Sequence, residues 1–339
     1  GQNIVVENVG GAGGRTGTER VTRGEPDGYT VLFGNMGPMA ASRALFKDQR
    51  YDPRTDLAPI GLVADVPMVM AASKKSAVAD LKSFVAKVKA EGDKVTFGTA
   101  GFGATSDLAP WLLLHLSGLK ATIVPYKGAG PAIQDLIGGF VDGVIDQTAT
   151  LLPLHASGTV TALAVTGDSR LPQAPDVPTF AEAGLPDFGM KVWNALAVHK
   201  DTNPAIVARL VAALDQSLSS DFVRTRFEGL AVPVPPASVR GPAHLDRLVK
   251  AEVERWEAVL KDVPKAHQTA YPVVAEVKNE TCPVSGEAIG KDAVVVTLQQ
   301  KRFSLCCGGC HDTAKKDAQV VLAKLAEPSN GLLSRLAPR

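Results

Sequence analysis

The sequence predicts an α/β protein whose two lobes enclose a cleft, followed by a small cysteine-containing α+β module. Three observations carry this expectation. Short apolar strand signals alternate with helix signals through the first 262 residues, the pattern of parallel or mixed sheets covered by helices. Two apolar runs, residues 67–72 and 196–199, are placed to cross between two such sheets. All four cysteines fall between Cys282 and Cys310, after 281 residues without one.

Taken in order, residues 4–7 (IVVE) read as a strand, followed by the glycine-rich VGGAGGRTG and a short helix over 18–23. Pro26-Asp27-Gly28 is a turn signal, and residues 29–33 are a second strand leading into Gly34-Asn35-Met36-Gly37. A strand–helix–strand unit of this kind implies parallel pairing. The glycine run departs from a dinucleotide fingerprint, because Thr16 stands where a glycine is needed and Asn35 where an acidic residue should end the strand. A turn requiring positive φ is expected instead. Residues 78–90 form an amphipathic helix with Leu81, Phe84, Val85 and Val88 on one face. Strands follow at 123–126, 143–146 and 163–166, and helices at 204–218 and 244–260. Pro204 suits the first turn of its helix.

The stretch TAGFGATS, residues 99–106, joins a strand over 95–98 to a helix over 107–116. A helix start leaves its first four N–H groups unpartnered and carries partial positive charge. Glycines let a ligand approach that backbone closely, so the loop suits an anion. Thr99, Thr105 and Ser106 add hydroxyls. The same residues also suit an ordinary strand-to-helix turn with a Ser or Thr cap.

The remaining composition narrows the class. A net charge of +1 and 5% aromatic residues give no footprint for nucleic acid. No run of 18 uncharged apolar residues exists, so no direct membrane span is expected. Six scattered histidines, no GxSxG and a body without cysteine give no nucleophile–base pair, so the chain is not expected to be an enzyme.

The segments VVENVGGAGGRTGTERVTRGEPDGYTVLFG, YDPRTDLAPIGLVADVPMVM, VTFGTAGFGATSDLA, VPYKGAGPAIQDLIGGFVDGVIDQ, ALAVTGDSRLPQAPDVPTFAEAGLP and PAIVARLVAALDQSL, in this order, resemble the Bug/TctC family. The resemblance runs over residues 1–262. It implies a two-lobed periplasmic binding protein, type II-like, that captures a small carboxylate for the membrane components of a tripartite tricarboxylate transporter. Residues 1–67 and 198–262 would form lobe 1, and residues 68–197 lobe 2. The resemblance implies ligand contacts at Thr99, Ala100, Gly101, Gly103, Ala104 and Thr105 of the second-lobe loop. It implies further contacts at Asn35 and Met36 of a first-lobe loop and at Asp146, a strand-end residue that equally suits a capping or hinge role. No cofactor is implied for this body. Family members carry a strand, a ligand loop and a helix ahead of the segment matching Gly1. Lobe 1 is therefore expected to be incomplete, with residues 4–7 and 29–33 flanking a gap one strand wide.

Residues 263–280 read as a linker, 281–326 as a module and 327–339 as a tail. Within the module, Cys282-Pro283-Val284 and Cys306-Cys307-Gly308-Gly309-Cys310 place thiols beside glycines, an arrangement suited to a soft metal. Cys282, Cys306 and Cys310 are the candidate ligands for zinc or copper, with Cys307 as the spare. A disulfide or unliganded thiols are the alternatives. The segment resembles YHS/TRASH-like heavy-metal-binding modules. Two other functional classes therefore stand beside the receptor: a metal chaperone or sensor acting through these cysteines, and an enzyme on the α/β scaffold.

Overall fold

A computed structural model describes residues 3–46 and 48–261 and, beyond them, 275–276, 279–290, 293–298, 301–307, 309–316, 320–321 and 324–325. The chain divides into two units, Gly1–Tyr271 and Pro272–Arg339. In the first, strands β1 (Leu32–Asn35), β2 (Leu57–Ser73), β3 (Thr96–Thr99), β4 (Thr122–Pro125), β5 (Gly143–Gln147), β6 (Val160–Val165) and β7 (Lys191–His199) form one open sheet. Its order is β1-β7-β2-β5-β3-β4, with β6 also on β2. Around it lie α1 (Arg15–Thr22), α2 (Ser42–Leu45), α3 (Leu81–Glu91), α4 (Thr105–Ser117), α5 (Ala129–Gly138), α6 (Thr148–Ala156), α7 (Pro204–Ser219), α8 (Asp221–Glu228) and α9 (Pro242–Lys261).

β2 is the spine of this arrangement. Residues 57–67 pair antiparallel with β7, and residues 68–73 pair with β5 and β6. β3 runs parallel to both β4 and β5, so the sheet is mixed. The apolar runs 67–72 and 196–199 fall in this long strand and its partner β7, which belong to one sheet rather than crossing between two. Met68 to Ala72 is wholly buried, which explains its near-continuous apolar sequence.

The helices follow their local signals. Asp80 caps α3 in a reciprocal capping box with Ser83, and Leu81, Phe84 and Val88 line its buried face. Asn203 accepts the Ala205 amide, and Pro204 opens α7.

The front of the chain departs from expectation. Residues 4–7 form no strand, and Ile4, Val5 and Val6 are 88%, 82% and 81% exposed. β-Branched residues favour a half-buried pleated surface, and among the described residues no strand pairs with these. The second strand begins later than expected, at Leu32, after Asp27 accepts the Tyr29 amide in a turn. It pairs antiparallel with β7, Leu32 opposite Ala197 and Asn35 opposite Asn194, rather than in a parallel unit.

The second unit contains β8 (Ala275–Glu276), β9 (Val294–Leu298), β10 (Lys301–Leu305) and α10 (Cys310–Lys316). β10 lies between a parallel β8 and an antiparallel β9. Phe303, Leu305 and Ala314 are buried. Most of the expected linker 263–280, and all of the tail 327–339, lie outside the described residues.

Candidate functional site

The turn between β3 and α4 is held by polar groups of its own helix start. Thr99 Oγ1 donates to Asp107 Oδ1 at 3.0 Å and accepts the Gly101 amide at 3.3 Å. Ser106 Oγ accepts the Ala100 amide at 3.0 Å, and Asp107 Oδ2 accepts that of Gly103 at 3.1 Å. The Ala104 amide reaches the Gly101 carbonyl at 3.0 Å. The amides of Ala100, Gly101, Gly103 and Ala104 are therefore bonded within the turn and its helix start. An unpaired buried amide costs roughly 1–3 kcal/mol, and the side chains of Thr99, Ser106 and Asp107 remove that cost. The amides of Thr105 and Ser106, first and second in α4, have no partner among the described residues. These are the orphan donors of a helix start.

The loop faces the segment after β1. The Gly37 amide is shared between Thr105 Oγ1 and Asn35 Oδ1, each at 3.1 Å, and Thr105 Oγ1 donates to Asn35 Oδ1 at 3.3 Å. A Cβ on Gly37 would stand 2.9 Å from both the Gly103 carbonyl oxygen and the Thr105 nitrogen. Gly13, at φ +65°, approaches from the glycine-rich turn, and a Cβ there would collide with the Phe102 carbonyl. The glycines of the front segment thus let three backbone stretches meet where side chains would hold them apart.

Two amide side chains, the buried Asn194 and the half-buried Gln147, extend this surface. Asn35 and Ala64 both lie opposite Asn194, and Met68 lies opposite Gln147. Cross-strand partners share a face, so Asn35, Asn194 and Gln147 stand on one side of the sheet. Asn194 Nδ2 donates to Gln147 Oε1 at 2.8 Å, bridging β7 and β5 across β2. Asn194 and Gln147 were not singled out from the sequence, because only the strand register brings them beside Asn35. The surface is built from neutral groups, Asn35, Thr105, Gln147 and Asn194, beside the start of α4.

The other sequence candidates have different surroundings. Met36 is 2% exposed and packs in the main core, and Thr99 is fully buried. Gly101 faces Tyr126, whose carbonyl oxygen would lie 2.7 Å from a Cβ. Asp146 lies opposite Val69 and hence on the other side of the sheet from Gln147. Its Oδ1 accepts the Gln147 amide at 2.7 Å, and burial lifts its pKa to about 6.

In the second unit, the sulfurs of Cys282, Cys306 and Cys310 lie within 4.8 Å of one another, and no disulfide links them. Cys306 and Cys310 are 3.6 Å apart, and Ser285 Oγ lies 3.2 Å from Cys306 Sγ. Cys282 is buried in a knuckle closed by its amide to the Glu287 carbonyl, 2.7 Å. Burial would raise the Cys282 thiol, but backbone N–H groups of Ser285 and Cys306 bring it down to about 6. Cys307 is exposed, 3.8 Å from Cys306 and outside the three-sulfur group.

The family model described as tripartite tricarboxylate transporter family receptor matches residues 1–264. A protein from the TAR-I ttuE-ttuC' intergenic region of Agrobacterium vitis is 42% identical over 265 residues, covering 78% of this chain and 76% of its own. Protein BugT of Bordetella pertussis is 34% identical, covering 77% and 80%. Among solved structures, MatC from Rhodopseudomonas palustris with bound malate is 38% identical with a TM-score of 0.71, over 74% of this chain and 85% of that one. The periplasmic binding protein BugD is 37% identical with a TM-score of 0.73, covering 76% and 85%. A further R. palustris protein with adipate is 30% identical with a TM-score of 0.71, again covering 76% and 85%. These neighbours share the periplasmic binding protein fold described above.

Proposed function

The chain belongs to the tripartite tricarboxylate transporter receptor family, and from that membership we propose that it captures a small organic acid and hands it to the membrane components of such a transporter. The family match across residues 1–264 carries this reading. Malate in MatC and adipate in the R. palustris neighbour support a carboxylate as ligand. Residues 1–67 with 198–262 are read as one lobe and 68–197 as the other, with the ligand between them. The periplasm is the compartment that BugD suggests. No described helix is long and apolar enough to cross a membrane.

The binding chemistry follows from a neutral cradle. The unpartnered amides of Thr105 and Ser106 lie at the positive end of α4 and donate to a carboxylate oxygen. Thr105 Oγ1 and the side-chain amides of Asn35, Gln147 and Asn194 supply further donors and acceptors around it. Ala100, Gly101, Gly103 and Ala104 shape the turn and Thr99 holds it from within, while Met36 packs in the core and Asp146 lies on the other face of the sheet. A receptor needs no nucleophile, and the chain is read as a binder rather than a catalyst.

Isothermal titration of the full chain with malate, adipate, citrate and aspartate tests this reading. Saturable one-to-one binding of at least one acid is expected. Thr105→Val should weaken it about tenfold, the size of a lost hydrogen bond to a charged group. Absence of binding by all four acids would contradict the reading.

The three-sulfur group favours a second, separate role for the second unit. Cys282, Cys306 and Cys310 are read as thiolate ligands of zinc or copper, with Cys307 outside the set. Titrating the reduced full chain with Zn(II) and with Cu(I) should give one high-affinity equivalent of at least one ion. Cys282→Ser should abolish it and Cys307→Ser should not; equal loss in both variants would refute this ligand set.

A further inference from the structure

The ligand loop carries one large side chain, Phe102, which the cradle does not use. It meets Phe46, just past α2, edge to face with ring centroids 4.8 Å apart and planes at 77°. Behind Phe46, the Arg15 guanidinium carbon lies 3.3 Å from the ring centroid. Arg15 is anchored in turn by its Nε donating to the Ala12 carbonyl at 3.3 Å, within the glycine-rich turn. A Cβ on Gly103 would stand 2.8 Å from the Phe46 ring, so the loop's own glycine admits this contact.

These three residues form a continuous stack from the first-lobe segment to the second-lobe loop. We infer that Arg15, Phe46 and Phe102 are a cation–aromatic latch that holds the cleft shut over a bound carboxylate and sets its residence time. The inference rests on the two-lobed receptor reading above. Separating the lobes must part Phe102 from Phe46, because the two rings sit on segments assigned to opposite lobes. Edge-to-face aromatic pairs and cations over rings both add attraction beyond the area they bury. Arg15 reaches the loop through Phe46, so it is a positioning residue. The proposed ligand donors, the Thr105 and Ser106 amides and Asn35, are not among the three latch residues. Loss of the latch should therefore leave encounter with the ligand nearly unchanged and speed escape, the usual route by which related binders differ in affinity.

Two measurements on the full chain test the latch. In the ligand-free protein, Phe46→Ala and Phe102→Ala should each speed amide exchange over residues 99–105 about tenfold, as expected of a local opening, while the buried amides of β2 keep their protection. Phe46→Tyr, which retains ring and stack, should behave as the unaltered chain. In stopped-flow displacement of malate or adipate, the alanine variants should dissociate about tenfold faster, with association within about threefold. Unchanged exchange over 99–105 in both alanine variants would overturn the latch, as would an equal rise in β2, which marks a merely structural role. Should neither acid bind the unaltered chain, the receptor reading is what suffers, and the exchange comparison still decides the latch.

Discussion

Asp146 sits nearly buried behind the cradle, its carboxyl accepting one amide, from Gln147. Burial raises its pKa from 3.8 to about 6. Between these values the folded protein holds a proton that the unfolded chain has released, so stability from this group is present at low pH and lost as pH rises through about 6. Asp146→Asn keeps an oxygen for the Gln147 amide and removes the buried charge. Its melting temperature should exceed that of the unaltered chain by ~2–5 °C at pH 7.5, and the gap should close near pH 4. A lower melting temperature at pH 7.5 would show that the carboxylate has a favourable partner. Residues of this kind explain what the sequence could and could not disclose. Asn35 and Thr105 enter the proposed cradle through the family resemblance, which picks out the two loops that hold them. Gln147 and Asn194 were not legible, since nothing local distinguishes a cradle amide from any other polar residue in a strand.

At the scale of elements, local signals sufficed wherever they were complete. α3 and α7 have a cap and an apolar face within their own sequence, and the structure forms them within a few residues of expectation. Residues 4–7 have strand propensity but no strand partner among the described residues, and propensity alone does not make a ladder. β1 has β7 on one side and stands at the end of the sheet order, with Phe33 64% exposed and Tyr29 92% exposed nearby. An edge strand with outward apolar side chains invites pairing with another chain. Phe33→Lys should reduce concentration-dependent self-association in light scattering without lowering the melting temperature by more than about 2 °C. Unchanged association would show that this edge is already protected.

For the whole molecule, the four cysteines fall after residue 281, and the chain divides into the units Gly1–Tyr271 and Pro272–Arg339. The family match ends at residue 264, close to that boundary. The receptor reading therefore belongs to the first unit and the thiol group to the second. The central claim is that a carboxylate is held where the start of α4 meets the segment after β1. Amide-resolved NMR of the full chain during titration with malate or adipate locates the ligand directly. The account predicts saturable shifts at the Thr105, Ser106 and Gly37 amides and at the side-chain amides of Asn35, Gln147 and Asn194. Saturable shifts confined to other residues, with these six unmoved, would contradict it.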